Sequence, residues 1–407
     1  MNLRKFMAAA LAAVFCVTAA GCSKSDGASG ESTSATESVS EPEQQTADEF
    51  DQNITAMELT ADIKVGWNLG NTLDANGGTG VSQETSWGNP RTTPELMQGV
   101  KDAGFNAVRI PTTWENQMDE NNVINAEWMA RVKEIVDYAY DLDMYVILNM
   151  HHEDWYQPYA DKEEEITAKL QTCWTQIAEE FKGYDQHLIF EGMNEPRWKN
   201  TEFEWNGGND EGRTVVNHLN KAFVEAVRAT GGNNQYRFLM VCPYAANSGE
   251  SALAALELPD DDRLIVSVHA YIPYSFALQN PGSDKWVASK ANCTNEIDTL
   301  AEVLNRLFIS KGQAVIIGEC GAMNRQNENY RAAWAEYYFS TFKNIGIPCF
   351  WWDNGAFMSG ETFGLFDRYN NVPRYNLLVQ GIMNGVNGVN GVDYDALAEE
   401  SAASAAA

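Results

Sequence analysis

The chain reads as an α/β protein built as a single (β/α)8 barrel. Eight short apolar runs alternate with longer amphipathic ones, each run ends in polar or aromatic residues, and no glycine-rich phosphate turn follows the first. Such alternation implies parallel strands wound by helices. Eight units over about 340 residues fit one barrel with loop insertions. An open doubly wound sheet is the alternative. It would normally carry GxGxxG spacing after its first strand, and GWNLGNTLDA has neither that spacing nor a basic residue to meet phosphate.

Taken in order, the strands expected are KVGWNLG (64–70), FNAVRIP (105–111), MYVILNMHH (144–152), HLIFEGMNEP (187–196), RFLMVCP (237–243), LIVSVHAY (264–271), AVIIGECG (314–321) and IPCFWWD (347–353). All are rich in β-branched and aromatic residues. Between them run helical patterns such as TPELMQGVKDAG, AEWMARVKEIVDYAYDL, TVVNHLNKAFVEAVRATGG and YRAAWAEYYFSTFKNIG, several closed by a glycine suited to a C-cap.

The ends differ from this body. Residues 1–22 place Arg4 and Lys5 before an apolar run and finish in Ala19-Ala20-Gly21-Cys22, the layout of an export signal too short to span a membrane. The small-small-Cys ending resembles a bacterial lipobox, with Ala19 where Leu is usual. The expected location is therefore extracellular or at the cell surface, and any membrane contact runs through a lipid on Cys22. Residues 23–53 are Ser, Thr, Gly, Ala and acid, read as a disordered linker, and 393–407 read as a disordered tail. The catalytic domain is thus placed at 54–392. After Asn384 too little chain remains for a binding module, which suggests soluble or amorphous polymers as substrate.

With 28 Lys+Arg against 57 Asp+Glu the net charge is −29, which argues against nucleic acid and acidic glycans as partners. Cys173, Cys242, Cys293, Cys320 and Cys349 remain beyond the signal, an odd set without metal-ligand spacing, read as free thiols.

In a barrel the chemistry lies at the C-terminal ends of the strands. Those ends carry Asn68 and Asn71, Arg109, His151 and His152, Asn194 and Glu195, Tyr244, His269 and Tyr271, Glu319, and Trp352. Glu195 closes the fourth run and Glu319 the seventh, so the two face each other across the mouth. Glycoside hydrolysis needs such a pair: an acid for the leaving oxygen, and a carboxylate that attacks or activates water. Arg109 beside Glu319 is expected to keep it ionised, while Glu195 is expected to stay protonated.

FNAVRIP, MHH, MNEP, SVHAY, IGECG and FWWD, in that order from about Ala56 to Asn384, resemble glycoside hydrolase family 5 of clan A. GWNLGNTLDA, ETSWGNPRTT and AVRIPTTWENQMD are most similar to its subfamily 4, which holds endo-β-1,4-glucanases, xyloglucanases and lichenases. By position the resemblance implies Glu195 as acid/base, Glu319 as nucleophile, and Asn194 on the 2-hydroxyl. It also implies Arg109 and Tyr271 supporting the nucleophile, His151 and His269 beside them, and Trp352 under the sugar at the cleavage point. The implied activity is a retaining endo-β-1,4-glucanase on β-glucan, with xyloglucan and mixed-linkage glucan as further substrates; no cofactor is expected, and a monomer is the expected state, though no residue pattern here fixes it. A mannanase is the neighbouring alternative.

A pyranose has an apolar face fringed by hydroxyls, so its site wants aromatic platforms edged by polar groups. Trp114, Trp155, Tyr156, Tyr244 and Tyr274 are candidate platforms, with Asn68, Asn71 and His152 as polar contacts. Trp67 is either platform or core, and His152 either touches sugar or orients His151. Trp334 reads as core. A metal hydrolase would start with His-x-His on the first strand, where Asn stands, so no metal is expected. A surface glycan-binding protein without catalysis is the second class of reading. It has no reason to keep Glu195, Glu319, Arg109 and Asn194 together.

Overall fold

The computed structural model describes residues 49–399. The export segment with Cys22, most of the 23–53 linker, and the chain after 399 lie outside the described residues. Eight strands close a parallel barrel in chain order: β1 Gly66–Leu69, β2 Ala107–Ile110, β3 Tyr145–Asn149, β4 Leu188–Glu191, β5 Leu239–Val241, β6 Leu264–His269, β7 Ala314–Cys320 and β8 Cys349–Asp353. Each falls inside an expected run. The longer helices between them are α1 Ala56–Asp62, α2 Pro94–Asp102, α3 Ala126–Tyr140, α4 Glu163–Glu180, α5 Asp210–Ala229, α6 Ala291–Leu307, α7 Glu328–Lys343 and α8 Asn376–Val386. A two-stranded hairpin, 366–367 with 372–373, follows β8. Among the described residues no helix is long and apolar enough to cross a membrane.

Local chemistry sets the helix ends. Thr55 caps α1 in a capping box with Glu58, Pro94 opens α2, and the Asn125 side chain accepts from the first-turn amides of α3.

The strands are buried on both faces, so they read as continuous apolar runs, but alternate residues enter different cores. Trp67, Val108, Val146, Phe190 and Val266 pack outward against the helices. Ala107, Ile147, Ile189, Met240, Ile265, Ile316 and Phe350 fill the barrel interior, together with Leu59 of α1 and its C-cap Ile63. One step further along β1, β2, β3, β4 and β6 the inward residue becomes polar: Asn68, Arg109, Asn149, Glu191 and Ser267, with His269 beyond it, all buried. The barrel therefore has an apolar floor and a polar upper layer.

β7 breaks this alternation where it matters. Val268 pairs with Ile317, yet His269 pairs with Glu319, so Gly318 is an extra residue. Ile316 points inward, and strict alternation would turn Glu319 out toward the helices. The inserted residue returns it to the mouth, the usual work of a bulge beside a site. A Cβ at Gly318 would lie 3.2 Å from Ser267 Oγ and 3.4 Å from His269 Nε2, which leaves little room for any side chain.

Two expected boundaries are corrected. The linker does not run to residue 53 as a loose tether, because Phe50 is buried in the floor cluster against Tyr236 and Phe238. The tail does not loosen at 393 either: residues 394–399 are helical, and the buried Tyr394 donates to Glu336 Oε2 at 2.7 Å. In both places one aromatic ring supplies the burial that the polar composition around it lacks.

Candidate active site

The polar layer is organised by Arg109, which is fully buried on β2. Its Nε donates to Glu191 Oε2 at 2.7 Å, Nη1 to Asn68 Oδ1 at 2.9 Å and to Glu319 Oε1 at 2.7 Å, and Nη2 to Asn194 Oδ1 at 2.7 Å. A planar fork with five donors can serve four groups at once, as a lysine could not. Glu191 also accepts from Asn149 Nδ2 at 2.9 Å and from Ser267 Oγ at 2.5 Å. Glu319 thus stands on a pre-assembled base.

Above that base lie the two carboxylates. Tyr271 donates to Glu319 Oε2 at 2.8 Å. Burial, with Glu319 beside it, pushes the Tyr271 phenol well above its ordinary range, so it remains a donor. His269 Nδ1 lies 2.8 Å from Glu195 Oε1 and 3.6 Å from Glu319 Oε2. One oxygen of Glu195, one of Glu319 and a His269 nitrogen all lie within 4.8 Å of one another. Retaining glycosidases hold their carboxyl groups about 5–5.5 Å apart and inverting ones about 6.5–9.5 Å, so this spacing matches retention.

The protonation pattern differs from the expectation. Burial pushes Glu195 upward, but the hydrogen bond and charge of His269, then Arg197 and His152, outweigh it and leave Glu195 below its ordinary value. Burial lowers His269, while Glu319 and Glu195 raise it further, to a net rise. The contact with His269 therefore pulls Glu195 toward its carboxylate form, against the effect of burial. The two titrate as a coupled unit.

Beside them, the His151 ring is parallel to Trp352 at 5.7 Å, and burial holds it neutral, well below the usual histidine range. His152 is held down to about 4 by burial. A cleft of about 1170 Å³ takes in Asn71, His151, His152, Asn194, Glu195, His269, Tyr271, Tyr274, Glu319 and Trp352. Two clusters could meet a cation in shape, Glu195–His269–Glu319 and Asp74–His151–His152. In the first, the oxygens already accept from Arg109, Tyr271 and His269. In the second, both Asp74 oxygens accept backbone amides, of Asn71 and Thr72.

Several expected sugar contacts are misplaced. Asn68 is fully buried and donates to Gly318 O at 2.9 Å, bracing the bulge. Trp114 is buried, with its Nε1 on Asn149 O, and Tyr244 is buried, accepting from Trp198 N. Trp155 lies off the cleft, its Nε1 on Glu153 and Lys169 over its ring. Tyr156 is buried too, and Trp67 is core, bonded to Asp353 Oδ2. Trp114, Tyr156 and Tyr244 follow strand ends, but their rings turn away from the mouth, where they bury more surface. Glu195 does not close a strand: β4 ends at Glu191, and Glu195 sits four residues on, in the loop.

Residues not singled out in the sequence also line the cleft, among them Trp87, Arg197, Trp205 and Glu361. Glu191, Asn149 and Ser267 were legible in principle, as inward positions of the same alternation that places Arg109 and His269. Trp87 and Trp205 sit in long loops, where no periodicity marks them.

An eight-stranded barrel whose mouth presents two facing carboxylates in an aromatic cleft has the build of a glycosidase. A family model described as cellulase, glycosyl hydrolase family 5, matches residues 73–358. Endoglucanase A of Clostridium longisporum is 47% identical over 325 residues, 77% of this chain and 62% of that one, so the chain spans about three fifths of that relative. The structure of a broad-specificity endoglucanase of family 5, subfamily 4, from Ruminococcus champanellensis with bound cellotriose matches at a TM-score of 0.79 and 43% identity, covering 81% of this chain and 98% of that one. A family 5 xyloglucan-specific endo-β-1,4-glucanase from a metagenomic library, in complex with cellotriose, matches at 0.78 and 42%, covering 82% and 98%. The chain belongs to glycoside hydrolase family 5.

Proposed function

We propose that this protein is a retaining endo-β-1,4-glucanase, with Glu319 as nucleophile and Glu195 as acid and then base. The observation that carries the reading is the close approach of the two carboxylates, within 4.8 Å, over a base built on Arg109. In the first step a Glu319 oxygen attacks the anomeric carbon while the glycosidic oxygen departs with a proton from the Glu195–His269 unit. That step removes the charge on Glu319 and leaves Glu195 as carboxylate. In the second, Glu195 takes a proton from water, the water oxygen attacks the same carbon, and Glu319 leaves. Two inversions give net retention.

Arg109 and Tyr271 hold the Glu319 carboxylate, and Asn194, itself held by Arg109, is poised for the sugar's 2-hydroxyl. Trp352, parallel to His151, is the platform. Relatives named as endoglucanases, one of them xyloglucan-specific and two solved with cellotriose, support β-1,4-glucan as the substrate class, with xyloglucan and mixed-linkage glucan beside it.

Reducing-sugar release from barley β-glucan, xyloglucan, carboxymethylcellulose and mannan tests this. Release from the glucans should fall by several orders of magnitude in both Glu195→Gln and Glu319→Gln. Undiminished release in either would overturn the assignment, and faster release from mannan would overturn the glucan preference. Export with a lipid on Cys22 is proposed from residues 1–22 alone. Lipid labelling that persists in Cys22→Ser would overturn it.

A further inference from the structure

Arg197 lies two residues beyond Glu195 in the same loop and has no part in the reaction derived above. Its Nη1 donates to Glu195 O at 2.9 Å and lies 3.5 Å from Glu195 Oε2. Its Nε meets Glu204 Oε1 at 3.3 Å, and its guanidinium sits 4.0 Å from the centre of the Trp205 ring. Both anchors are fixed in turn. Glu204 Oε2 accepts from Asn200 N at 2.8 Å, and Trp205 O accepts from Asn247 Nδ2 at 3.1 Å. Arg197 and Glu195 are each only 15% exposed in their side chains, so the contact is not a screened surface pair. Trp205 is still 56% exposed with one face taken by Arg197, and both residues line the cleft.

We propose that Arg197, clamped between Trp205 and Glu204, is a positioning residue that sets the charge balance at Glu195. This rests on Glu195 being the acid/base. The other charged or titratable groups facing Glu195 are His269 from β6, Tyr271 just after it, Glu319 from β7, His152 and Tyr156 from the loop after β3, Cys242 after β5 and Glu361 from the loop after β8, with Arg109 beneath. Among them Arg197 is the cation on the acid's own loop. It favours the carboxylate, which helps Glu195 as the base of the second step and opposes it as the acid of the first. Glu204 draws off part of that positive charge. Arg197 thus balances two half-reactions that need opposite forms of one residue.

The test is the pH profile of kcat/KM on soluble β-glucan, whose alkaline limb reports loss of the acid's proton. Removing the cation in Arg197→Met should move that limb up by about one pH unit. Removing the competing anion in Glu204→Gln should move it down, and Arg197→Lys should restore it. With dinitrophenyl cellobioside, whose leaving group needs no proton, Arg197→Met should lower kcat and KM together, because the covalent intermediate accumulates. A limb that stays put in both Arg197→Met and Glu204→Gln, with rates and melting temperature merely lowered, would reduce Arg197 to a loop clamp and overturn the proposal. Glu195→Gln keeps the two failures apart. If it retains activity, the acid assignment falls and this proposal with it; if it is inactive while the limbs are unmoved, only this proposal falls.

Discussion

Replacing Arg109 by lysine keeps the charge and removes the fork. In the structure the guanidinium serves Glu191, Asn68, Glu319 and Asn194 from three nitrogens pointing in different directions. One ammonium cannot reach all four, and Glu191 or Glu319 is left without its cation. Breaking a buried ion pair on one side costs about 3–5 kcal/mol of stability. For the 351 residues described, 49 to 399, an unfolding entropy of about 2.1 cal/mol/K per residue gives about 0.7 kcal/mol/K, so the melting temperature should fall by about 4–7 °C. Activity should suffer more. Losing the charge-assisted bonds that orient Glu319 and Asn194, about 1.5–3 kcal/mol each, corresponds to a drop of about 10²–10⁴ in kcat/KM. Paired thermal scans and reducing-sugar assays on purified Arg109→Lys read both numbers. A variant that melts with the parent and keeps its rate within about threefold would show that Arg109 does not assemble the site.

Three further predictions follow from single contacts. Gly318→Ala puts a methyl against Ser267 Oγ and His269 Nε2, so kcat should fall about 10- to 100-fold, far more than the melting temperature suggests; a parent-like kcat would refute the role given to the bulge. Phe50→Ala should cost about 3–5 kcal/mol, and a chain starting at residue 54 should melt as low as that variant; equal melting of chains starting at 49 and 54 would contradict the floor described. Burial pushes Glu153 up to about 7 from its ordinary 4.5, so the folded state holds a proton that the unfolded state has lost. That contribution is complete below about pH 4.5 and gone once the pH passes about 7, so between about pH 5 and 8 Glu153→Gln should gain up to about 3 kcal/mol on the parent. Parallel pH–stability curves for the two proteins would refute it.

The barrel was legible because its evidence is periodic. Eight runs of the right length and composition lie between amphipathic stretches, and all eight strands fall within them. The convergence of Arg109, Asn194, Glu195, His269, Tyr271 and Glu319 was legible because a barrel directs its strand ends, and the loops that follow them, to one mouth. That rule says which end a residue occupies, not which way its ring turns. Trp114, Tyr244 and Trp155 stand where a platform could be and instead face the helices or pair with Glu153. Asn68 stands at a strand end and points down, as a brace for Gly318. Phe50 was hidden by its neighbours, since one ring in an acidic, Ser/Thr-rich segment does not shift the average that marks it as a tether. The state of Glu195 was misread for a different reason. Burial alone favours the protonated acid, and only the position of His269 and Arg197 against it shows the opposing pull toward the carboxylate. Sequence separation carries no such distance.

The proposed reaction is a double displacement between Glu319 and Glu195. Proton NMR of the first minutes of cello-oligosaccharide hydrolysis, taken before the anomers equilibrate, reads its outcome directly. The newly formed reducing end should appear as the β-anomer and drift later to the mixture. An α-anomer appearing first would mean a single inverting displacement, and the assignment of Glu319 as nucleophile would fail.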